Sequence, residues 1–247
     1  MSISNNYRVT VHYDGTDYSG WQFQVPEIRT VQGELLRALR VIAKKRVVVT
    51  GSSRTDAGVH SSGLVANFHL PMAIAPDSLQ RALNSLLPTD IRITDCRRED
   101  RSFNARFGAV EKTYEYRLWR GPVVSPFQTR YLTHVPYPLN VRAMRRCLKH
   151  FRGEKDFTSF TSDDPGKNKT RTVDRFVMKV RGDEILFVVT GRSFLRYMVR
   201  NMVGTVIDVG RGKLAPGDIP AIFAARDRRR AGQTAPAKGL LLRRVKY

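Results

Sequence analysis

The run Ser53-Arg54-Thr55-Asp56-Ala57-Gly58-Val59-His60 sets one carboxylate beside an arginine and ahead of an Ala-Gly step. Glycine lacks the Cβ that forbids most of conformational space, so the backbone there can turn tightly and approach a ligand. Two roles fit Asp56. As a turn former it bonds its own backbone. As a nucleophile it needs a neighbour that keeps it ionised, and the Arg54 guanidinium does so. The cations elsewhere in the chain sharpen the choice, because an acid facing a phosphate-binding groove repels its ligand and needs a chemical reason to be there.

Tyr114 lies in Thr113-Tyr114-Glu115-Tyr116-Arg117-Leu118-Trp119, whose alternation puts Tyr114, Tyr116 and Leu118 on one face of a strand. Core packing accounts for Tyr116 and Leu118. A tyrosine at a cleft edge would instead stack on a base with its hydroxyl near the sugar, and for Tyr114 both readings stand. Arg196 and Arg200 are spaced i, i+4 on a helix expected over residues 193–209, which Phe194, Met198, Met202 and Val206 make largely buried. Buried arginine is costly unless paired, so at least one should meet a carboxylate or a phosphate. Asp56, Asp208 and Glu184 are the candidate partners, with solvent at the helix end as the remaining option. Arg226-Asp227-Arg228-Arg229-Arg230 is either a solvated face or a phosphate contact.

Other chemistries lack their residues. There is no G-x-x-x-x-G-K-[ST] loop and no G-x-G-x-x-G after a strand, which leaves nucleotide triphosphates and dinucleotides unsupported. Nothing resembles a nucleophile elbow, and Asp56 has no acidic neighbour to make a glycosidase pair. Cys96 and Cys147 are the only cysteines, and five histidines are scattered singly, so neither a disulfide framework nor a metal site is expected.

Among 247 residues, 43 Lys and Arg stand against 22 Asp and Glu, a formal charge of +21. That excess implies a polyanionic partner, and nucleic acid is favoured because phosphate neutralisation releases counterions. No segment sets a basic face against a strongly apolar one, which disfavours a membrane surface. Residues 1–7 lack the apolar core of a signal peptide and no apolar run is long enough to span a bilayer, so the expected location is the cytoplasm.

The elements that must position these residues follow from periodicity. Strands are expected at 7–13, 47–50, 64–70, 91–95, 113–119, 173–180, 184–190 and 239–247. Helices are expected after Thr30 as N-cap, after Asp77 as cap with Leu79, Leu83 and Leu86 inward, after Asn140 as cap, over 193–209, and around 219–225. Gly182-Asp183 marks a hairpin, and the polar stretch 159–171 an exposed loop. Strands and helices mix without strict alternation, which favours α+β over a doubly wound sheet. The order of elements repeats loosely, giving an N-terminal half at 1–120, a connector at 121–138 and a C-terminal half at 139–247.

With these residues in hand, the chain resembles the A-type tRNA pseudouridine synthases over nearly its whole length. The resemblance rests on ordered motifs: Tyr13-Asp14-Gly15 with Tyr18-Ser19-Gly20-Trp21-Gln22, then Val31-Gln32, then Arg54-Thr55-Asp56-Ala57-Gly58-Val59-His60. Phe103-Asn104-Ala105-Arg106-Phe107 and Lys112-Thr113-Tyr114-Glu115-Tyr116 come next. Asp156-Phe157-Thr158-Ser159-Phe160, Arg171-Thr172-Val173, Phe194 to Asn201 and Lys238-Gly239-Leu240 complete the series. Ser53 and Ser61 depart from it, standing where the family more often has glycine or alanine, and 159–171 matches only at its ends.

The resemblance implies a fold of two similar α+β halves with mixed, mainly antiparallel sheets joined around a central basic cleft. It implies conversion of uridine to pseudouridine in the anticodon stem-loop of tRNA, at positions 38, 39 and 40, by a homodimer that needs no cofactor and no metal. It makes Asp56 the nucleophile, Tyr114 the residue that stacks on the flipped base and helps move a proton, and Arg200 the basic partner of the aspartate. Arg54 would hold the flipped nucleotide's place, and Leu240 would form an apolar wall of the pocket. The competing reading is a catalytically inactive RNA-binding or RNA-chaperone protein of the same fold.

Overall fold

A computed structural model describes residues 5–162, 166 and 168–247. The chain divides into two compact units, one running up to Val110 and taking in Leu242–Tyr247, the other Glu111–Leu241. Residues 121–138 belong to the second unit.

In the first unit, β1 (Asn6–Tyr13) buries alternate residues as its sequence pattern requires. It pairs antiparallel with β3 (His60–His69) on one side and β4 (Ile91–Glu99) on the other. The short β2 (Val49–Gly51) pairs antiparallel with β3. Beside β3 also lies the final strand, β10 (Leu240–Lys246), which enters this unit at Leu242. Helix α1 (Val31–Ala43) starts as expected, with the Thr30 hydroxyl accepting from Gly33 N–H, and it buries Val31, Leu35 and Leu39. Helix α2 (Pro76–Leu86) starts differently. Ala75 is its N-cap and Pro76 opens the first turn, because proline's fixed φ and missing N–H suit that place. Asp77 is therefore a first-turn acid on the positive end of the helix rather than its cap, and Leu86 is exposed.

The second unit is built on β5 (Glu111–Trp119), to which the two-residue β6 (Thr133–His134) runs parallel. Then β9 (Glu184–Gly191), β8 (Thr170–Arg181) and β7 (Gly153–Asp156) follow across the sheet, each antiparallel to its neighbour. The β8–β9 hairpin turns at Gly182 with φ +55°, as its Gly-Asp signal predicted. Asn140 caps α3 (Val141–Cys147), which passes into a 3-10 turn at Leu148–Phe151. Helices α4 (Met198–Gly210) and α5 (Ile219–Ala225) complete the unit. Phe151, Phe157, Phe160 and Phe223 form one aromatic cluster, with the Phe160 and Phe223 centroids 4.7 Å apart.

Two expectations need correction here. Ser159 and Thr161 are buried rather than part of an exposed loop, because Ser159 Oγ donates to Ile222 O at 2.6 Å and Thr161 Oγ1 to Arg196 O at 3.0 Å. Within the stretch 159–171, residues 163–165 and 167 lie outside the described residues, as do residues 1–4 of the amino-terminal reading. Helix α4 begins at Met198, five residues later than the apolar periodicity suggests, since Tyr197 takes the left-handed conformation at φ 60°. Arg196 thus precedes the helix. Among the described residues no helix is long and apolar enough to cross a membrane.

Candidate active site

The Asp56 loop joins β2 to β3, and its turn is closed by backbone. Val59 N–H donates to Asp56 O at 3.2 Å, with Gly58 at φ +74° in the third position, which an L side chain rarely occupies. Asp56 is half-buried in this turn, while Arg54 is exposed.

The segment from Tyr13 to Gln22 clamps this loop. Trp21 N–H donates to Thr55 O at 3.2 Å and Gly58 N–H to Tyr18 O at 3.2 Å. Buried Tyr13 and Thr55 share a hydroxyl–hydroxyl bond of 2.8 Å. Two glycines make the contact possible: a Cβ on Gly15 would sit 1.9 Å from Val59 O, and one on Gly20 2.5 Å from Thr55 O. His60 Nδ1 lies 3.1 Å from both Gly15 N and Asp14 Oδ1, tying the start of β3 to the same turn.

The clamp is itself braced. Tyr18 donates to Asp90 Oδ1 at 2.5 Å and accepts from Arg29 at 2.9 Å, and its hydroxyl pKa is pushed up by burial and by Asp90. Gln32 in the first turn of α1 donates to Val49 O at 2.9 Å and accepts from Gln22 and Phe23 N–H. Ser61 is also accounted for: its Oγ accepts from Gly63 and Leu64 N–H, at 3.1 and 2.8 Å, and donates to Leu242 O at 3.3 Å. Only the Gly58 turn among these features had a signal in local sequence. The clamp was visible as a matched motif without a role.

The turn at Phe103 to Phe107 hangs from two buried asparagines of the sheet. Asn6 and Asn67 both donate to Phe103 O at 3.1 Å, and Ala105 N–H donates to Asn67 Oδ1 at 2.9 Å.

Tyr114, Arg200 and Leu240 belong to the second unit. Tyr114 is 6% exposed and meets the Phe194 ring edge-on, with centroids 5.2 Å apart. Tyr116 is core, as read from sequence, its hydroxyl bonded to Thr133 at 2.6 Å and Pro236 O at 2.9 Å. Leu240 is buried at the start of β10, just after Gly239, where a Cβ would strike the Tyr116 ring.

Arg196 and Arg200 converge on Tyr197, with guanidinium carbons 4.8 and 5.1 Å from its ring centroid. Arg200 is aimed by reciprocal bonds: its Nε donates to Ala235 O at 2.8 Å, and Ala235 N–H donates to Arg200 O at 3.1 Å. The local acids considered for it are engaged elsewhere, Glu184 with Arg117 at 2.6 Å and Asp208 with Gln233 N–H at 3.2 Å.

Buried Asn201 donates to Phe160 O at 2.8 Å and accepts from Arg228 at 2.9 Å and Thr234 at 2.6 Å. Arg228 thus has a structural role, while Arg226 pairs with Asp156 and Arg229 with Asp227. The run 226–230 is neither a uniform solvated face nor a simple phosphate contact.

The first unit thus presents an acid on a loop held by main chain, and the second a helix start with two guanidiniums on one ring. The family profile described as tRNA pseudouridine synthase matches residues 9–108 and 147–247. The chain belongs to the tRNA pseudouridine synthase family. The tRNA pseudouridine synthase A of Latilactobacillus sakei is 41% identical over 99% of this chain and 100% of that protein. The enzymes of that name from Geobacillus kaustophilus and Brevibacillus brevis are 42% and 44% identical, over 99% and 97% of this chain and 95% and 98% of theirs. A solved Cbf5-Nop10-Gar1 complex aligns at a TM-score of 0.34 and 14% identity, over 81% of this chain and 54% of that one, too slight a likeness to bear on the fold.

Proposed function

We propose that this protein isomerises uridine to pseudouridine in the anticodon stem-loop of tRNA, with Asp56 as nucleophile. Family membership supports the reaction, and the observation that carries the assignment of Asp56 is its loop. The turn closes through backbone and is clamped by Tyr13, Gly15, Tyr18 and Trp21, so the main chain fixes where the carboxylate sits. The target nucleotide leaves its stack, because the glycosidic bond is unreachable inside a helix. Asp56 attacks the nucleoside, the N-glycosidic bond breaks, the uracil rotates and rejoins the ribose through carbon, and the bond to Asp56 is broken again to free the carboxylate. The carbon that gains the glycosidic bond gives up its proton and the freed ring nitrogen gains one, so nothing is added or lost and no cofactor is consumed.

Tyr114 stacks on the flipped base and assists the proton transfer, and Arg200 supplies the counter-charge to Asp56. Arg54 holds the flipped nucleotide's place, and Leu240 walls the pocket. A homodimer working in the cytoplasm completes the reading, with each chain carrying an N-terminal half for the nucleophile and a C-terminal half for the basic helix. The test is pseudouridine formation by purified protein on unmodified tRNA with no cofactor added. Asp56→Ala is expected to lower product to background while tRNA still binds. An active Asp56→Ala protein sinks the nucleophile, and a wild-type protein that binds tRNA without forming product favours the RNA-chaperone alternative.

A further inference from the structure

The second unit carries a concavity of ≈ 640 Å³, lined by none of the residues assigned to the reaction. Lys149 and His150 reach it from the 3-10 turn after α3, Lys155 and Asp156 from β7, and Phe223 and Arg226 from the end of α5. Its floor is fixed, because Phe223 packs against Phe151, Phe157 and Phe160 at 5.8, 5.2 and 4.7 Å. Lys155 Nζ stands 5.7 Å from the Phe223 ring centroid.

The one acid among the lining residues is already engaged on both oxygens. Asp156 Oδ1 accepts from Thr158 N–H and Oγ1 at 2.9 and 2.5 Å, and Oδ2 meets Arg226 at 3.0 Å. Two lysines, an arginine and an imidazole thus face one compensated carboxylate. The crowding is registered by His150, whose pKa is lowered by burial and then by Lys149 and Lys155. Like charges gathered over an aromatic floor are unfavourable by themselves and become favourable around a phosphate.

We propose that this concavity is a second RNA site that takes a phosphodiester of the tRNA backbone, separate from the recognition of the target nucleotide. This rests on the reading of tRNA as substrate. The site adds affinity without sequence preference, and a phosphate seated there draws a proton onto His150.

The test compares Lys149→Ala/Lys155→Ala with Lys179→Ala/Arg181→Ala, which removes the same charge from exposed positions of the same unit. Dissociation constants for tRNA are measured over a salt series, with turnover at saturating tRNA measured in parallel. The pocket variant is expected to bind on the order of 10-fold more weakly at low salt, with a log K against log salt slope shallower by about 1–2. Its turnover at saturation should be unchanged, and the control pair should lose much less affinity. Equal losses in both pairs overturn the site in favour of diffuse charge, as does unchanged affinity in the pocket variant. In the wild-type protein, the His150 ring resonances should titrate at higher pH once tRNA is bound, and an unmoved titration counts against the proposal. Binding is read apart from turnover, so a wild-type protein that makes no pseudouridine refutes the catalytic reading alone.

Discussion

The Asp56 loop and the start of α4 are held in place by different balances of main-chain and side-chain contact. Around Asp56 main-chain bonds lead, with the Tyr13–Thr55 hydroxyl pair beside them, and they exist because Gly15 and Gly20 let one segment lie on the other. Around Arg200 side chains carry more of the load, with Asn201, Thr205 and Arg228 joining the helix to Gly232 and Thr234 beside the main-chain bond from Ala235. Main-chain clamping fixes a short acid, whose reach is small and whose position follows from the backbone. A long guanidinium has several rotatable bonds, so the second region must direct the side chain itself. A short acid and a long cation thus call for different scaffolds.

The sharpest way to break that contrast is to add one methyl group in each region. A Cβ on Gly15 would sit 1.9 Å from Val59 O, and one on Gly204 1.7 Å from Gln233 O, both backbone atoms that no rotamer change can move. Gly15→Ala and Gly204→Ala are each expected to cost about 2–3 kcal/mol, roughly 5–10 °C of melting temperature. Hydrogen exchange should locate the loosening at residues 53–60 in the first variant and at 198–204 with 232–236 in the second. Equal opening of both regions by either variant would dissolve the distinction.

Side-chain deletions should separate the regions in the reverse sense. Asn201→Ala strands three partners, Phe160 O, Arg228 and Thr234, at an expected cost of about 2–3 kcal/mol. Tyr13→Phe removes one hydroxyl pair with Thr55 and should cost about 1 kcal/mol. Urea titrations of both variants give the ordering directly, and a larger loss in Tyr13→Phe would contradict it.

The smallest effect is titration. His12 in the first unit has its pKa lowered by burial and then Arg243, and His150 in the second by burial and then its two lysines. The unfolded chain takes up protons near the ordinary value of 6.5 that the folded chain accepts only at lower pH. Stability should therefore fall as pH drops below about 6.5. His12→Asn and His150→Asn should each flatten that slope, and a saturating RNA ligand should flatten it further only where His150 is intact.

Much of the scaffold was legible because its signals are local. The alternation of β1, the Thr30 and Asn140 caps, the Gly182 turn and the span of α5 all came from residues adjacent in sequence. The late start of α4 was not legible, since no glycine or proline marks it. The left-handed Tyr197 is accompanied by two guanidiniums against its ring, a tertiary arrangement that apolar periodicity cannot reveal. Asp77 misled because the proline before it had the stronger preference for the first helical position. Arg228 misled because a charge run gives no hint that one member turns inward to a buried asparagine. Asp56, Tyr114 and Arg200 were singled out by local chemistry, but their roles came from the ordered family motifs. The clamp that fixes Asp56 became visible only when Gly15 and Val59 were seen in contact.

The bond from Ser61 to Leu242 O spans 181 residues of chain. The first unit is thus discontinuous: its sheet takes in a strand segment that leaves the ribosome only after all of Glu111–Leu241 has been made. The Asp56 loop runs directly into β3, the strand that waits for that segment. During synthesis the intervening unit, contiguous in sequence, has everything it needs to fold first, while the Asp56 side keeps an open sheet edge until Leu242–Tyr247 are made. Ordering of the sheet beside Asp56 is therefore coupled to synthesis of Leu242–Tyr247, and a chain released before Leu242 would carry Asp56 on an unfinished sheet.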